Sequence, residues 1–239
     1  MKPFCYSIHN RRIVVQHEPR YIIPEREYEY THIEGRSGDL VFDKGSYKNV
    51  PREYEIGVDA SRNNDNYSTI MNGVAEWLHS GSGYLRLEDT YDSTYYRLAT
   101  YDDETSISNL FNQAGTATIS FNCRPERFLK TGETPVPINT SGGYVTNPTN
   151  QKAKPLLKVM GNSPGSVTIG TYVVDITVLN DYIYIDCDSM DAYHLASENY
   201  NNVITPHNHV FPVLIPGRNY ITWNGGISSV EVTPRWWTL

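Results

Sequence analysis

Apolar and polar residues alternate with a period of two over much of this chain of 239 residues. The clearest example is Thr116–Cys123 (TATISFNC), and the segments Tyr84–Glu88 and Tyr95–Ala99 show the same pattern on either side of an Asp-rich turn. Because successive side chains of a strand point to opposite faces, this alternation predicts half-buried strands. Short strands with regular turn residues between them predict a mainly β chain, built from β-sandwich-type or barrel domains.

Turn residues in the second half of the chain predict two β-hairpins. Asn162–Gly165 separates the strand-like segments LLKVMG and SVTIG, and Asn180–Asp181 separates VVDITVL from YIYIDCD. Asn, Asp, Pro and Gly are the residues that tight turns favour. Further strands are predicted near the C-terminus, at Asn219–Trp223 and Ser229–Thr233.

Two segments have the 3.6-residue spacing of apolar positions that a helix requires. Tyr67–His79 places its large apolar residues near one face, with Ser68 as a cap and Gly81 as a stop. Ile107–Ala114 has the same spacing and is followed by Gly115, but it is short enough to be a turn. We therefore predict one or two short helices.

Charge is distributed unevenly along the chain. Residues 1–130 contain 15 basic and 19 acidic side chains, whereas residues 131–239 contain 5 and 8. The segment Phe128–Pro148 is rich in Gly, Pro, Ser and Thr and lacks periodicity, which is typical of a linker or of a segment that crosses between domains. We predict two domains, residues 1–133 and residues 134–239, with the composition change at the linker.

Composition argues against several broad classes of protein. With 20 basic and 27 acidic residues the net charge is −7, whereas proteins that grip nucleic acid need clustered cations. Met1–Arg20 lacks the apolar core of an export signal, and no run of 18 apolar residues predicts a membrane span. Cys5, Cys123 and Cys187 are far apart and odd in number, so we expect buried thiols without a disulfide or metal role.

One sequence motif resembles a catalytic signature. Gly161–Gly165 matches the GxSxG pattern of a nucleophile elbow, in which the residue after the serine donates its N–H to an oxyanion. Here that residue is Pro164, which has no N–H, and the flanking segments are strand-like on both sides. We interpret the motif as a turn.

Metal-binding and acid–base chemistry are also poorly supported. His207 and His209 have the i, i+2 spacing of two ligands on a strand, but no third ligand is evident nearby. Asp186, Asp188 and Asp191 lack the glycine and glutamate of a calcium loop, so we expect them to cap a turn. We predict no catalytic, cofactor-binding or metal-binding residues, no cofactor, and no enzymatic activity.

Six segments in their order resemble the distal tail protein (Dit) of long, non-contractile-tailed bacteriophages. The adjacent tryptophans near the C-terminus carry the most weight, because two at a free end are unusual. The segments are HIEGRSGDLVFDKGSYKNV, ISFNCRPERFL, NPTNQKAKPLLKVMG, YIYIDCDSMDAY, FPVLIPGRNYITWNG and VEVTPRWWTL.

The resemblance implies a structural role at the distal end of the tail. Such proteins form a homo-hexameric ring, in which an N-terminal β-domain makes the belt and a C-terminal sandwich similar to galectin or carbohydrate-binding folds projects outward. The ring joins the tail tube protein to the tail-associated fibre or lysin protein, and often anchors receptor-binding proteins. Its channel passes tape-measure protein and DNA, which is a partner only in transit. The protein would be made in the host cytoplasm and located in the virion, without a membrane partner.

Candidate interface residues follow from the expected ring. The loops at Asp89–Ser93 and Tyr101–Thr105 belong to the more charged domain, so Asp89, Asp92, Tyr101 and Asp102 are predicted to contact a neighbouring subunit. On a last strand, one of Trp236 and Trp237 would face the core and the other outward. Both are predicted to pack between domains or against a partner.

Two other functions are kept as alternatives. A carbohydrate-binding module is favoured by tyrosines in the strand-rich second domain, and the predicted sugar contacts are Tyr144, Tyr172, Tyr193 and Tyr200. A cell-wall hydrolase would need two positioned carboxylates or a metal set, for which only Asp186 and Asp188 are candidates.

Overall fold

The computed structural model describes residues 5–6, 13–59, 67–102, 114–195 and 198–239. The chain is mainly β, as predicted, and most of its strand pairs are antiparallel. It divides into two compact units, Met1–Arg127 together with Leu239, and Phe128–Thr238, which are named unit 1 and unit 2 below. The division falls inside one long strand, Ala114–Leu129.

Unit 1 is built on one main sheet and a separate pair of strands. In chain order its strands are β1 (Cys5–Tyr6), β2 (Ile13–Val15), β3 (Arg26–Thr31), β4 (Leu40–Tyr47), β5 (Val50–Asp59), β6 (Leu85–Leu87), β7 (Tyr95–Thr100) and β8 (Ala114–Leu129), the last of which continues into unit 2. The main sheet has the order β1-β6-β7-β8-β5-β2, and β3 pairs only with β4 among the described strands. In the longest pairing, Val50 lies opposite Cys123 and Ile56 opposite Ala117, and all four are buried.

A helix packs on one face of this sheet. The helix α1 (Tyr67–Leu78) confirms the prediction for that segment. Ile70, Val74 and Leu78 are four residues apart, so they form one stripe, and this stripe is buried in a core with Phe121 of β8. Burying each such side chain stabilises the fold by about 1.5–3 kcal/mol.

Unit 2 consists of two five-stranded sheets that share one core. Its strands are β9 (Val136–Ile138), β10 (Gly143–Asn147), β11 (Leu156–Gly161), β12 (Gly165–Ile169), β13 (Tyr172–Ile176), β14 (Asp181–Asp186), β15 (Asp191–Tyr193), β16 (Ile204–Pro206), β17 (Gly217–Trp223), β18 (Ile227–Thr233) and β19 (Trp237–Thr238), with short 3-10 helices at Lys130–Glu133, Asn201–Val203 and His207–His209. One sheet has the order β10-β17-β12-β13-β16 and the other β15-β14-β11-β18-β9, whereas β19 belongs to neither of these two sheets and pairs with β8. Leu157 and Val159 of one sheet and Val167 and Ile169 of the other are fully buried in the same cluster. Unit 2 is therefore a β-sandwich.

Both predicted hairpins are wrong. The strands β11 and β12 flank the turn at Asn162–Gly165 but lie in different sheets, and the same holds for β13 and β14 around Asn180–Asp181. The hairpin that does form joins β12 to β13, with Ile169 opposite Tyr172. Turn residues and alternation are the same for a hairpin and for a crossing between two layers, so the sequence pattern locates the turn without identifying the partner strand.

The segment Phe128–Pro148, predicted to be a linker or a crossing segment between domains, is not an irregular linker. It contains β9 and β10, which pair with β18 and β17 at one edge of each sheet of the sandwich. Alternating burial is visible in β10, where Val145 and Asn147 are buried and Tyr144 is exposed. The Gly- and Pro-rich composition of this segment reflects edge strands and turns, since Pro is tolerated at sheet edges.

Parts of two sequence predictions fall outside the described residues. The second predicted helix, Ile107–Ala114, lies there except for Ala114, which begins β8. The predicted interface loop Tyr101–Thr105 is described only for Tyr101 and Asp102. The remaining residues of both predictions stay untested.

The GxSxG motif is a turn that crosses between the two sheets of unit 2. A Cβ atom on Gly161 would lie 2.3 Å from the carbonyl oxygen of Gly226, and one on Gly165 would lie 2.4 Å from that of Asn224. Both distances are too short for a real Cβ, so the two glycines allow the close approach of backbone segments. The two glycines of the motif therefore have a packing role at this crossing.

Candidate partner-binding surfaces

The loop between β6 and β7 is held by a partly buried polar cluster within unit 1. Arg52 Nη2 donates to Asp89 Oδ2 over 2.8 Å, and the Tyr54 hydroxyl donates to the same oxygen over 2.6 Å. Burial alone would raise the pKa of Asp89, but the hydrogen bonds from Tyr54 and Arg52 outweigh it, and the pKa is lowered. Asp89 is therefore a carboxylate that already has its partners inside one chain.

The next acidic side chain of the loop is also paired internally. Asp92 receives a two-pronged contact from Arg127, with Nε 3.0 Å from Oδ2 and Nη2 2.9 Å from Oδ1. The Arg127 guanidinium also lies over the ring of Tyr95, at 4.3 Å from its centroid. A planar guanidinium suits both contacts, which fix the loop onto the adjacent strand. Asp89 and Asp92 thus order unit 1, whether or not a second copy also touches them.

The other two predicted interface residues of unit 1 differ in burial. The ring of Tyr101 lies 6.0 Å from that of Phe121 and 5.3 Å from that of His79, in edge-to-face geometry at the margin of the core. Asp102 is exposed and accepts a hydrogen bond from Asn122 Nδ2 over 3.3 Å. Of these two, Asp102 presents its side chain to solvent.

A feature that sequence reasoning missed is the hairpin formed by β3 and β4. Tyr28, Tyr30, Val41 and Phe42 are all exposed, and these four residues are named the hairpin surface below. The exposed fraction is 63% for Tyr30 and 52% for Phe42. Isolated two-stranded hairpins are marginally stable in water, and exposed large apolar side chains mark interaction sites. The hairpin surface therefore has the character of an interface.

Both faces of the hairpin carry apolar groups. Tyr30 lies directly opposite Val41, whereas Phe42 points to the other face, opposite Glu29. Arg26 and Asp43 stabilise the base of the hairpin through a hydrogen bond of 3.0 Å from Nε to Oδ1. The alternating sequence YEYT, followed by LVF after two glycines, contained a signal for these strands.

The two adjacent tryptophans belong to unit 2. Trp236 is buried in the core of the sandwich, and Trp237 is half-buried against the same core, with its Nε1 donating to the carbonyl oxygen of Lys152 over 2.9 Å. The N–H of Leu129 donates to the carbonyl oxygen of Trp236 over 2.8 Å. Their first role is to stabilise unit 2, and Trp237 keeps a partly exposed ring for any further contact.

The acidic cluster after β14 caps a turn, as predicted. Asp186 Oδ1 accepts from the backbone N–H of Asp188 over 2.9 Å, and both carboxylate oxygens accept from Arg235, over 2.6 and 2.8 Å. Burial alone would raise the pKa of Asp186, but the hydrogen bond and charge of Arg235, together with the backbone N–H groups of Asp188 and Ser189, outweigh it and the pKa is lowered. A general acid of a hydrolase needs a raised pKa, so these contacts disfavour the hydrolase alternative.

Two of the predicted sugar contacts lie in an aromatic cluster whose ring faces are occupied. Tyr193 stacks on Tyr184 at 5.3 Å between centroids, and His194 stacks on Tyr182 at 4.2 Å. Lys158 Nζ lies 4.6 Å from the centroid of Tyr182. Tyr200 packs at the margin of the core, at 6.2 Å from the ring of His194. These rings pack on one another, and Tyr193 and Tyr200 are both half-buried.

The other two predicted sugar contacts lie on the opposite sheet of the sandwich. Tyr144 is on β10, where it is 48% exposed and lies directly opposite Tyr220 of β17, which is 52% exposed. Their rings are 5.8 Å apart between centroids. Tyr172 begins β13, is half-buried, and has no ring contact with this pair. Tyr220 was missed in the sequence analysis, because the pairing of Tyr144 with Tyr220 depends on the register of β10 against β17, which the sequence does not give.

The described residues contain neither a metal centre nor a membrane-spanning helix. In that part of the chain no three His, Cys, Asp or Glu side chains gather as a metal site. Nor does any helix there combine the length and the apolar content needed to cross a membrane. His207, one of the two histidines considered as ligands, instead pairs with Asp175 at 2.8 Å.

Comparison with known proteins gives a match in structure alone. No family model matches the sequence, and no curated protein matches it. The chain is similar to the crystal structure of the Dit protein of SPP1, with a TM-score of 0.75 over 95% of this chain and 94% of that one. The chain has a Dit-like fold.

Sequence identity to the SPP1 protein is only 12%, which explains why the sequence comparisons find nothing. The SPP1 Dit protein is described as a paradigm of the hub adsorption apparatus in phages that infect Gram-positive bacteria. The resemblance predicted from the six sequence segments is thereby confirmed at the level of the fold. What Dit does in SPP1 is a property of that protein, and its transfer to this chain is a proposal.

Proposed function

We propose that this protein is the structural hub of a phage tail tip, a homo-hexameric ring that links the tail tube to the adsorption apparatus. The Dit-like fold over nearly the whole length of both chains supports this role. The observation that carries the proposal is the hairpin surface, because it leaves unit 1 unfinished as a single copy.

The hairpin is suited to contact the next copy of the chain. In the described residues β3 and β4 pair only with each other, so the outer edge of each strand has free N–H and C=O groups. Large apolar side chains lie on both faces of this ribbon, so covering it takes a partner that touches more than one side. A closed ring needs such a contact, in which one surface of each subunit meets a different surface of the next.

The other predicted interface residues fall into two groups in this proposal. Asp102 and the exposed edge of Trp237 are free to touch a partner, whereas Asp89, Asp92, Tyr101 and Trp236 act first by ordering their own unit. The ring would contact the tail tube protein, the tape-measure protein and the tail-associated fibre or lysin protein, with receptor-binding proteins attached. It would be located in the virion, at the distal end of the tail.

The acidic balance of the chain fits a channel that DNA traverses without being held. The net charge of each copy is −7, and like-signed surfaces repel the phosphate backbone, whereas a basic lining would bind it. We expect the side chains that line the channel to be neutral or acidic on balance. A lining made mostly of Lys and Arg would contradict this part of the proposal.

The proposal is tested by a double variant of the hairpin surface, Tyr30→Ser with Phe42→Ser. The matched control is Tyr144→Ser with Tyr220→Ser, which also removes two exposed aromatic rings but from unit 2. Analytical ultracentrifugation at equal concentrations should show that the hairpin variant sediments as the 27.2 kDa single chain while the control assembles like the wild type. Assembly of the hairpin variant at wild-type strength would refute the role of the hairpin.

A further inference from the structure

The outer face of one sheet in unit 2 carries an exposed pair of aromatic rings whose positions are fixed by the strand register. Tyr144 and Tyr220 lie directly opposite each other on neighbouring antiparallel strands, so their side chains leave the same face. Their rings are tilted by 59° at a centroid distance of 5.8 Å, and about half of each residue is exposed. A pair of amphipathic rings is thus held in place at low conformational cost.

An arginine completes this surface. Arg218 is two residues before Tyr220 on β17, so it points to the same face, and its guanidinium carbon lies 5.0 Å from the centroid of the Tyr144 ring. The side chain is exposed. Because the ring contact orients the guanidinium without using its N–H groups, those donors remain directed to solvent beside the two tyrosines.

The rest of this face carries hydroxyl and ionic groups together with Val173, which lies opposite Thr168. Thr222 and Thr168 are opposite each other on β17 and β12, and Thr146 lies beside Arg218. Further along the sheet, Asp175 pairs with His207 at 2.8 Å. Tyr and Arg are also frequent in interfaces between proteins, so the oligomeric mass of a Tyr220 variant separates a sugar ligand from a second copy of the chain.

We propose that Tyr144, Tyr220 and Arg218 form a binding site for a carbohydrate chain. A sugar ring has an apolar C–H face that packs on an aromatic ring, and a rim of hydroxyls that bond to guanidinium and threonine groups. That combination matches two exposed rings, one oriented arginine and a hydroxyl-rich sheet. The site adds a ligand to the proposed hub and does not depend on ring formation.

The second aromatic cluster of unit 2 shows why the site is assigned to this sheet. In that cluster Tyr182 stacks on His194 and lies under Lys158, and Tyr184 stacks on Tyr193. Each of these rings already uses a face for a stacking contact within the cluster, so less ring surface is left for a sugar than on the Tyr144–Tyr220 pair. This second cluster therefore provides a control for the sugar-binding test, because its tyrosines belong to the same unit.

The test is glycan binding by the full-length protein and matched variants. The probes are an array of bacterial surface glycans, followed by titration calorimetry with the best-binding oligosaccharide. We expect at least one glycan to bind with millimolar or better affinity, Tyr220→Ala to weaken that affinity by at least tenfold, and Tyr220→Phe to retain it because the ring is kept. Tyr182→Ala should stay within twofold of the wild type.

Three results would overturn the site. The first is a blank array with the wild-type protein, and the second is a glycan whose affinity falls with Tyr182→Ala and not with Tyr220→Ala. The third is a change of oligomeric mass in Tyr220→Ala, which would show that the face joins copies of the chain. Failure of the hub would appear instead as a monomeric wild type, so the two failures are distinguishable.

Discussion

The two units of this chain treat their apolar surface in opposite ways. In unit 2 both sheets turn their apolar side chains inward, so that Leu157 and Val167 meet in one closed core. In unit 1 the main sheet is covered by α1, but the separate hairpin leaves Tyr30 and Phe42 exposed on its two faces. The difference is the basis of the proposed ring, in which unit 2 has a closed core within one copy and the hairpin of unit 1 is covered by a neighbouring copy.

The largest expected effect comes from opening the core of unit 2. Leu157→Ala should lower the free energy of unfolding by about 2–5 kcal/mol, because it removes buried methyl groups and leaves a cavity. The matched control is Leu195→Ala, whose side chain is exposed and should change stability by less than about 0.5 kcal/mol. Urea unfolding of both variants measures the difference, and equal losses would contradict the assignment of Leu157 to a closed core.

The next effect concerns the polar cluster of unit 1. Asp89→Asn should lower stability by about 3 kcal/mol, because it leaves the Arg52 guanidinium buried without a counter-charge. The control, Asp43→Asn, removes the partner of Arg26 on the solvent-exposed hairpin and should have a far smaller effect. If both variants unfold alike, the Asp89 cluster does not hold unit 1 together.

The same cluster predicts a dependence of stability on pH. Since the pKa of Asp89 is lowered in the folded chain, its contribution is fully present above the ordinary pKa of about 3.9 and is lost as pH falls through the folded value. Asp89→Asn should therefore flatten the loss of stability below about pH 4 relative to the wild type. Thermal unfolding from pH 2 to pH 7 measures this, and parallel curves would count against the prediction.

A smaller loss is expected from the turn after β14. Asp186→Asn removes a charge-assisted pair with Arg235 at a partly exposed site, and should cost about 1.5–3 kcal/mol. Asp188→Asn serves as the control, because that carboxylate is exposed and pairs only with Lys154 at 3.1 Å. If chemical unfolding shows a larger loss of stability for Asp188→Asn than for Asp186→Asn, the pair between Asp186 and Arg235 does not stabilise this turn.

The smallest expected effect is a change in the amide hydrogen exchange of the hairpin. It is also the effect most specific to the proposed interface. Assembly should slow deuterium uptake in β3 and β4, because a neighbouring copy covers them, and leave uptake in β11 unchanged. Hydrogen exchange over a concentration series makes the comparison within one sample. If the chain assembles but the deuterium uptake of the hairpin is the same at all concentrations, the interface lies elsewhere.

The sequence predicted elements better than it predicted their partners. The helix at Tyr67–Leu78 and the strand around Thr116–Cys123 follow from periodicity alone, because each element buries one face. The two wrong hairpins follow from a property of sandwiches, in which consecutive strands cross between layers through the same turn residues that hairpins use. Only the tertiary pairing separates these cases.

The candidate surfaces show the same limit. Tyr144 was predicted as a sugar contact from its residue type, but its partner Tyr220 is 76 positions away and is revealed only by the register of β10 against β17. Asp89 and Asp92 were selected as exposed loop carboxylates, and they instead pair with arginines of β5 and β8. Composition identifies residues suited to contacts, while strand register determines whether the contact is internal.

The native mass of the wild-type protein tests the central claim most directly. Native mass spectrometry should show a closed assembly of six copies, about 163 kDa, that depends on the hairpin of unit 1. A chain that remains at 27.2 kDa at every concentration, with its hairpin exposed, would contradict the proposal that this protein completes itself by forming a ring.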